Sequence, residues 1–271
     1  MAFRKKPENS KYEFILANKK FSFSAITTYE HCPYAYKLLY IDDIEDRIDN
    51  FYGEYGRLVH NCLEEYFKKN IDIYEMRNYF ENNYNKMVVS CLPDYPRNID
   101  KKYYKQALDF FSNFSFDWDI YDVVVVENTL RFDLFGYKFT GRPDLILRNK
   151  KEKENILLDF KTSKPFYTNR RTGKEVIKTD RINKYKKQLY LYTYGYKQAH
   201  DEEINKMQIW FTRPSRKMTF LWNYEEEKEA LLWAENLLHQ IWKEETFPYN
   251  NKEKYFCDFL CSARNVCEFR K

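Results

Sequence analysis

The chain has 271 residues, 44% of them hydrophobic and 32% charged, the balance of a globular protein with volume for a buried core. Its six glycines (53, 56, 136, 141, 173 and 195) never group into a Walker-type or dinucleotide-type loop, which excludes a nucleotide-driven motor and a Rossmann enzyme. The net charge of +5 is an average: residues 161–200 carry eleven Lys or Arg against Glu175 and Asp180, a local +9 that leaves −4 for the remainder. Such a block suits a polyanion such as a phosphate backbone, although a charge run is also the signature of a solvated loop and helix face. The 52 aromatic residues rise together with Lys, Asn and Ile, as an AT-rich coding sequence produces without functional demand.

In chain order, Ser24 to Tyr40 reads as a helix with Ser24 as N-cap, and Tyr52 to Lys69 as a second with Leu58, Cys62, Leu63 and Tyr66 at helical spacing. Two more helical patterns follow over Ile73 to Val89 and Lys101 to Phe114, separated by a loop at Pro93 to Pro96. Three strand-like runs come next: Val-rich Tyr121 to Leu134, Tyr137 to Leu147, and Asn155 to Phe160. A basic loop from Thr162 to Thr179 leads to a helix over Arg181 to Gln198. Ile204 to Phe211 and Met218 to Trp222 predict a β-hairpin turning at Arg213–Arg216, and Glu225 to Lys243 a long amphipathic helix. No repeat or low-complexity linker divides the chain. The expected architecture is one α/β domain over 1–271, with a helical portion over about 21–115, a core over about 120–245 and a cysteine tail over about 250–271.

Met1 to Lys20 is polar and Lys-rich, and no stretch approaches membrane-spanning length, so a cytoplasmic protein with reduced thiols is expected. There, patterned cysteines read as metal ligands. Cys257, Cys261 and Cys267 form C-x3-C-x5-C, and Cys32 stands alone in His31-Cys32-Pro33-Tyr34. Four thiolates suit a [4Fe–4S] cluster or a zinc ion; a lone distant cysteine plus a triplet leans towards the cluster, zinc more often taking paired C-x2-C knuckles. Cys62 and Cys91 read as buried apolar residues.

Chemistry concentrates around the central strands. Gly141-Arg142-Pro143-Asp144 places an acid at a strand turn, and Leu158-Asp159-Phe160-Lys161 follows fifteen residues later. Strand alternation puts Asp159 and Lys161 on one face, and hairpin pairing brings Asp144 beside them. Two carboxylates in apolar surroundings suit Mg²⁺ or Mn²⁺, and a nearby lysine suits an attacking water; strand-end salt bridges are the competing reading. Gly56-x-x-x-His60 and Glu64 share one helix face, with His60 a candidate additional ligand. Lys184, Gln188 and Tyr192 fall on one face of the helix after the basic loop, and Tyr185, Leu189 and Tyr196 on the face expected to pack on the sheet.

Pro143-Asp144 followed by Asp159-x-Lys161 resembles the signature of the PD-(D/E)xK nuclease superfamily. Gly56-x-x-x-His60 before it and Gln188-x-x-x-Tyr192 after it are similar to the RecB-type branch. Phe23-Ser24-x4-Tyr29-x2-Cys32-Pro33-x2-Tyr36 and the terminal cysteines are similar to that branch's iron–sulfur members, which include AddAB-type, CRISPR-associated RecB-like and phage exonucleases. The resemblance runs from about Phe21 to Phe269, with one departure, x3 instead of x2 between the first two cysteines of the triplet. It implies a restriction-endonuclease-like mixed sheet flanked by helices. His60, Asp144, Asp159 and the Phe160 carbonyl would hold Mg²⁺ or Mn²⁺, Lys161 would position or activate the water, and Gln188 with Tyr192 would orient the scissile strand. Cys32, Cys257, Cys261 and Cys267 would hold a structural [4Fe–4S] cluster. DNA would be the substrate, drawn in by Lys164, Arg170, Arg171, Lys174, Lys178, Arg181 and Lys184. Phe166, Tyr167 and Tyr185 could stack on unpaired bases, with core packing favoured for Tyr185. Any helicase, recombinase or CRISPR-adaptation protein would be a separate chain, and no membrane is involved.

Overall fold

The computed structural model describes residues 11–90, 98–250 and 253–270. The sequence positions Cys91 and Pro93–Pro96 lie outside these residues. The helical first part comprises α1 (Glu13–Asn18), α2 (Phe23–His31), α3 (Pro33–Tyr36), α4 (Phe51–Phe67), α5 (Glu75–Met87) and α6 (Ile99–Ser112), with a two-residue strand β1 (Phe21–Ser22) before α2. The helix expected over Ser24 to Tyr40 is three pieces. Its N-cap is Ser22, not Ser24, the Ser22 side chain accepting from Ala25 N at 3.2 Å. It breaks at Cys32, whose extended backbone precedes Pro33 (a residue before proline is disfavoured in the helical region), and a π-helical turn over Lys37–Ile41 ends it.

The three expected strand runs are five strands: β2 (Tyr121–Val126), β3 (Leu130–Leu134), β4 (Tyr137–Gly141), β5 (Leu145–Asn149) and β6 (Asn155–Lys161). The first two runs each conceal a change of sheet. β2, β5 and β6 join a five-stranded mixed sheet of order β10-β9-β6-β5-β2, whereas β3 and β4 pair with β1 in a three-stranded sheet. The chain leaves the large sheet after Val126 and returns to it at Leu145, so Glu127 and Asp144 occupy the two adjacent crossovers. After β6, the basic segment folds into a small hairpin, β7 (Phe166–Thr168) and β8 (Glu175–Ile177), where a loop was expected. Helix α7 (Thr179–His200) then carries the chain to β9 (Lys206–Phe211), which lies parallel to β6, the crossover a parallel pair requires. β10 (Arg216–Leu221) closes the expected hairpin with β9, and α8 (Tyr224–Lys243) precedes the cysteine tail.

β6 is central and almost wholly buried, as a strand covered on both faces must be. Its alternation divides two cores. Ile156, Leu158 and Phe160 face α4 and α6 together with Leu145, Leu147 and Trp210; Leu157 faces α7 and α8 together with Ile146, Ile209 and Phe211. The end of β6 therefore points Phe160 towards one helical layer and Asp159 and Lys161 towards the other.

Candidate active site and metal centre

Asp144 enters at a crossover after Pro143, a residue that cannot continue the ladder, and its Oδ2 accepts from Phe160 N at 2.6 Å. This bond fastens the start of β5 to the end of β6. Helix α4, capped by the Asn50 side chain at Gly53 N, delivers His60 to the same point, with Nδ1 3.3 Å from Asp144 Oδ1. On the other face of β6, Lys161 Nζ lies 2.7 Å from Asp159 Oδ2 and donates to Gln188 Oε1 at 2.8 Å. Gln188 Nε2 in turn donates to the Tyr192 hydroxyl at 2.9 Å, so the i, i+4 pair on α7 forms a relay onto the lysine. Gly141 permits this approach: a Cβ there would meet the Tyr192 ring at 2.7 Å. The structure thus brings His60, Asp144, Asp159, Phe160, Lys161, Gln188 and Tyr192 together.

One acid in the group has no sequence motif. Glu127 Oε1 lies 3.5 Å from His60 Nδ1, and ligand atoms of His60, Glu127 and Asp144 all fall within 4.8 Å of one another. The only sequence signal for Glu127 is an acid ending a valine run; the crossover that aims it is set by tertiary structure. Glu64, on the His60 face, is instead engaged by Lys68 at 2.5 Å and Arg142 at 3.5 Å.

These groups perturb one another strongly. Burial disfavours a charged imidazole at His60, but the Asp144 and Glu127 carboxylates outweigh it and push the group up to about 10. Asp144 is buried too, yet the His60 charge holds it below the usual carboxylate range. Burial raises Asp159 to about 6, against the pull of Lys161 and with repulsion from Asp144 adding to it. Lys161 moves up despite burial because Asp159 and Asp144 face it, and burial chiefly raises Glu127. Imidazole plus carboxylate oxygens within 4.8 Å of one another is a donor set that fits a divalent cation.

The basic residues occupy an exposed rim. Lys164, Arg170, Arg171, Lys174, Lys178, Arg181 and Lys184 are all exposed, and none has an ion-pair partner among the described residues. The hairpin tip is built by Asn169, whose Oδ1 accepts from Arg171 N and Thr172 N, and by Gly173 at φ +65°. Other members of the block are spent elsewhere: Lys186 pairs with Glu226 and Lys197 with Glu203. Of the three aromatics, Phe166 is core, packed edge-on against Phe211 at 5.3 Å, which rules out base stacking by it; Tyr167 is exposed and Tyr185 half-buried.

The cysteines form a second centre. Cys32, Cys257, Cys261 and Cys267 line one cavity with Ala35, Phe256 and Ala263, while Cys62 is buried in the core as expected. Cys32 Sγ accepts from Ala35 N and Asn250 N, each at 3.4 Å. The extra residue between Cys257 and Cys261 is absorbed by a π-helical turn over Phe256–Leu260, closed by Cys261 N donating to Phe256 O at 2.8 Å. The tail also grips the body: Ile48 N donates to Ser262 O at 2.9 Å, Arg264 to Asp49 O at 2.6 Å, and the α4 cap Asn50 to Leu260 O at 3.2 Å. Burial, with repulsion from the other thiols, raises Cys257 and Cys261. Among the described residues, no three of these sulfurs lie within 4.8 Å of one another, whereas four thiolates on one zinc stand about 4 Å apart at Zn–S bonds of about 2.3 Å.

Residues 20–268 match the PD-(D/E)XK nuclease superfamily. The chain belongs to that superfamily. Its fold is shared with a solved structure from Eubacterium rectale, of a protein provisionally named an exonuclease: 14% identity, all of this chain and 96% of that one covered, TM-score 0.54. The crystal structure of SSO0001 is 18% identical over 79% of this chain and 96% of its own, with a TM-score of 0.33. No curated protein matches the chain. The mixed sheet flanked by helices is thus the nuclease fold, and no helix among the described residues is long and apolar enough to cross a membrane.

Proposed function

We propose that this nuclease is a Mg²⁺- or Mn²⁺-dependent deoxyribonuclease, an exonuclease on DNA ends or single strands, from the RecB-like iron–sulfur branch. The observation that carries the reading is the meeting of His60, Asp144 and the Asp159–Lys161 pair at the end of one buried strand, beside an unpaired cationic rim. His60, Asp144, Asp159 and the Phe160 carbonyl would hold a divalent cation, which would supply positive charge against the scissile phosphate. Lys161 Nζ, kept protonated by Asp159, orients the attacking water and faces developing negative charge instead of accepting the proton. Gln188 fixes the Lys161 ammonium, and Tyr192 fixes Gln188. The rim residues Lys164, Arg170, Arg171, Lys174, Lys178, Arg181 and Lys184 hold the phosphate backbone.

A structural [4Fe–4S] cluster at the cysteines, with zinc as the alternative, is supported by the four cysteines lining one cavity and by the two backbone N–H groups from which Cys32 Sγ accepts, as cluster sulfurs do. In this reading 1–271 is a single nuclease domain clasped at both ends, working alone or beside a separate helicase, recombinase or CRISPR-adaptation protein. The test is digestion of end-labelled single- and double-stranded DNA by anaerobically purified protein. Mn²⁺-dependent shortening from an end, abolished by EDTA, is expected; DNA binding with no cleavage under any divalent ion would instead make the chain a non-catalytic DNA-binding subunit.

A further inference from the structure

Glu127 is held by an arrangement that its turn does not need. It follows β2 at φ +47°, a left-handed conformation that a non-glycine residue adopts at a cost. Its N–H donates to Asp144 O at 2.9 Å, and its own carbonyl accepts from Arg142 Nε at 2.8 Å. These bonds lock the Glu127 crossover to the Asp144 crossover, so the two acids cannot shift independently. The carboxylate is largely buried, at 12% exposure. Its oxygens are divided: Oε2 pairs with Arg142 Nε at 2.8 Å, and Oε1 is turned inward to within 3.5 Å of His60 Nδ1. Surface ion pairs do not require this, since a carboxylate serving only Arg142 is better left in solvent, away from a second buried acid.

We propose that Glu127 Oε1 is a further ligand of the divalent cation, acting with His60 and Asp144, and that Arg142 is the positioning residue that keeps this oxygen inward. The proposal rests on the reading that the site holds a divalent cation. It gives a purpose to the strained backbone, to the division of the carboxylate oxygens and to the arginine of the Arg142-Pro143-Asp144 turn. Asp144 then lies between the Glu127–His60 side and the Asp159–Lys161 side, with one oxygen towards His60 and the other on Phe160 N.

The test is Mn²⁺ binding to the DNA-free protein, read from the electron paramagnetic resonance signal of free Mn²⁺ and repeated by calorimetry, for Glu127→Gln, Glu127→Asp and Asp144→Asn. Glu127→Gln is expected to weaken Mn²⁺ binding by about tenfold or more, as a lost ligand should. Glu127→Asp keeps the charge and the Arg142 pair but withdraws the oxygen, so it should weaken binding while melting as the parent does, and it decides the question if the Gln variant does not fold. Unchanged Mn²⁺ affinity in a folded Glu127 variant, with Asp144→Asn impaired, overturns the role of Glu127 alone. Unchanged affinity in all three variants overturns the cation site itself.

Discussion

The active site and the cysteine centre are both assembled from residues distant in sequence, but they differ in how their charge is balanced. At the active site the chain supplies its own cations: His60 stands between Asp144 and Glu127, and Lys161 stands against Asp159. The buried acids are therefore compensated before any metal arrives, and folding does not wait for it. The cysteine cavity is arranged otherwise: Arg264 and Arg270 line it, but Arg264 is engaged by the carbonyls of Ile48, Asp49 and Cys261, and Arg270 lies near Asp258. Cys257 and Cys261 are raised by burial and by neighbouring thiols, and the cavity walls are mostly apolar. A small third core, Cys32, Ala35, Leu38, Leu39, Cys261 and Ala263, joins the tail to the body, with Tyr34 and Phe256 packed against it. Under the proposed assignment, one centre is poised for a ligand and the other depends on one.

This difference predicts opposite responses to mutation. Cys261→Ser should cost both stability and activity: visible absorbance lost, the melting temperature lowered by about 10 °C or more, and cleavage lost with it. The route to the active site is short, because the tail bonds to Asn50, the cap of the helix that carries His60. Retained melting in a variant without absorbance would make the tail self-sufficient and remove the contrast. Lys161→Ala should cut cleavage by about a thousandfold with a much smaller change in melting, since Asp159, raised to about 6, can take a proton in place of its lost partner. A collapse of melting equal to that of Cys261→Ser would mean that the active site is also a structural staple.

The sequence made legible what local periodicity and short motifs encode: α4 with His60, β6 with Asp159 and Lys161, the β9–β10 hairpin, and the i, i+4 pair Gln188 and Tyr192. It hid what depends on which sheet a strand joins. Tyr121–Leu134 carries neither glycine nor proline where it changes sheet, so it reads as one run and Glu127 lay unmarked within it; in Tyr137–Leu147, Gly141 and Pro143 mark a turn but not the change of sheet. The relay through Gln188 was equally invisible: spacing placed Gln188 and Tyr192 on one helix face, but only the parallel β6–β9 crossover sets that face against Lys161. Charge counting had a similar limit, for it could not show that Lys186 and Lys197 are spent on helix and loop acids.

The internal cations also set a pH dependence for the metal-free protein. His60 is raised from 6.5 to about 10, so its stabilisation is complete below about pH 6.5 and is lost as the pH rises towards 10. In EDTA, the denaturation free energy of the parent should therefore fall towards that of His60→Gln across this window, the titrating thiols being common to both proteins. A constant gap between them would show that the imidazole is neutral throughout and that the acids are balanced some other way. Mn²⁺ should reverse the trend, because a ligating imidazole must give up its proton.

The smallest effects belong to the rim, where charge is neither buried nor balanced. Arg171→Ala and Lys174→Ala, at the β7–β8 tip, should each weaken single-stranded DNA binding and flatten its dependence on log salt by about 0.7, one phosphate contact apiece. Turnover at saturating DNA should not change, since neither residue approaches Asp144 or Lys161. Lys186→Ala and Lys197→Ala serve as the contrast, for these lysines carry the same formal charge but already neutralise Glu226 and Glu203. Equal salt slopes for all four variants would mean that the whole +9 block acts as a diffuse field; a change confined to the hairpin would make the rim a set of discrete phosphate seats.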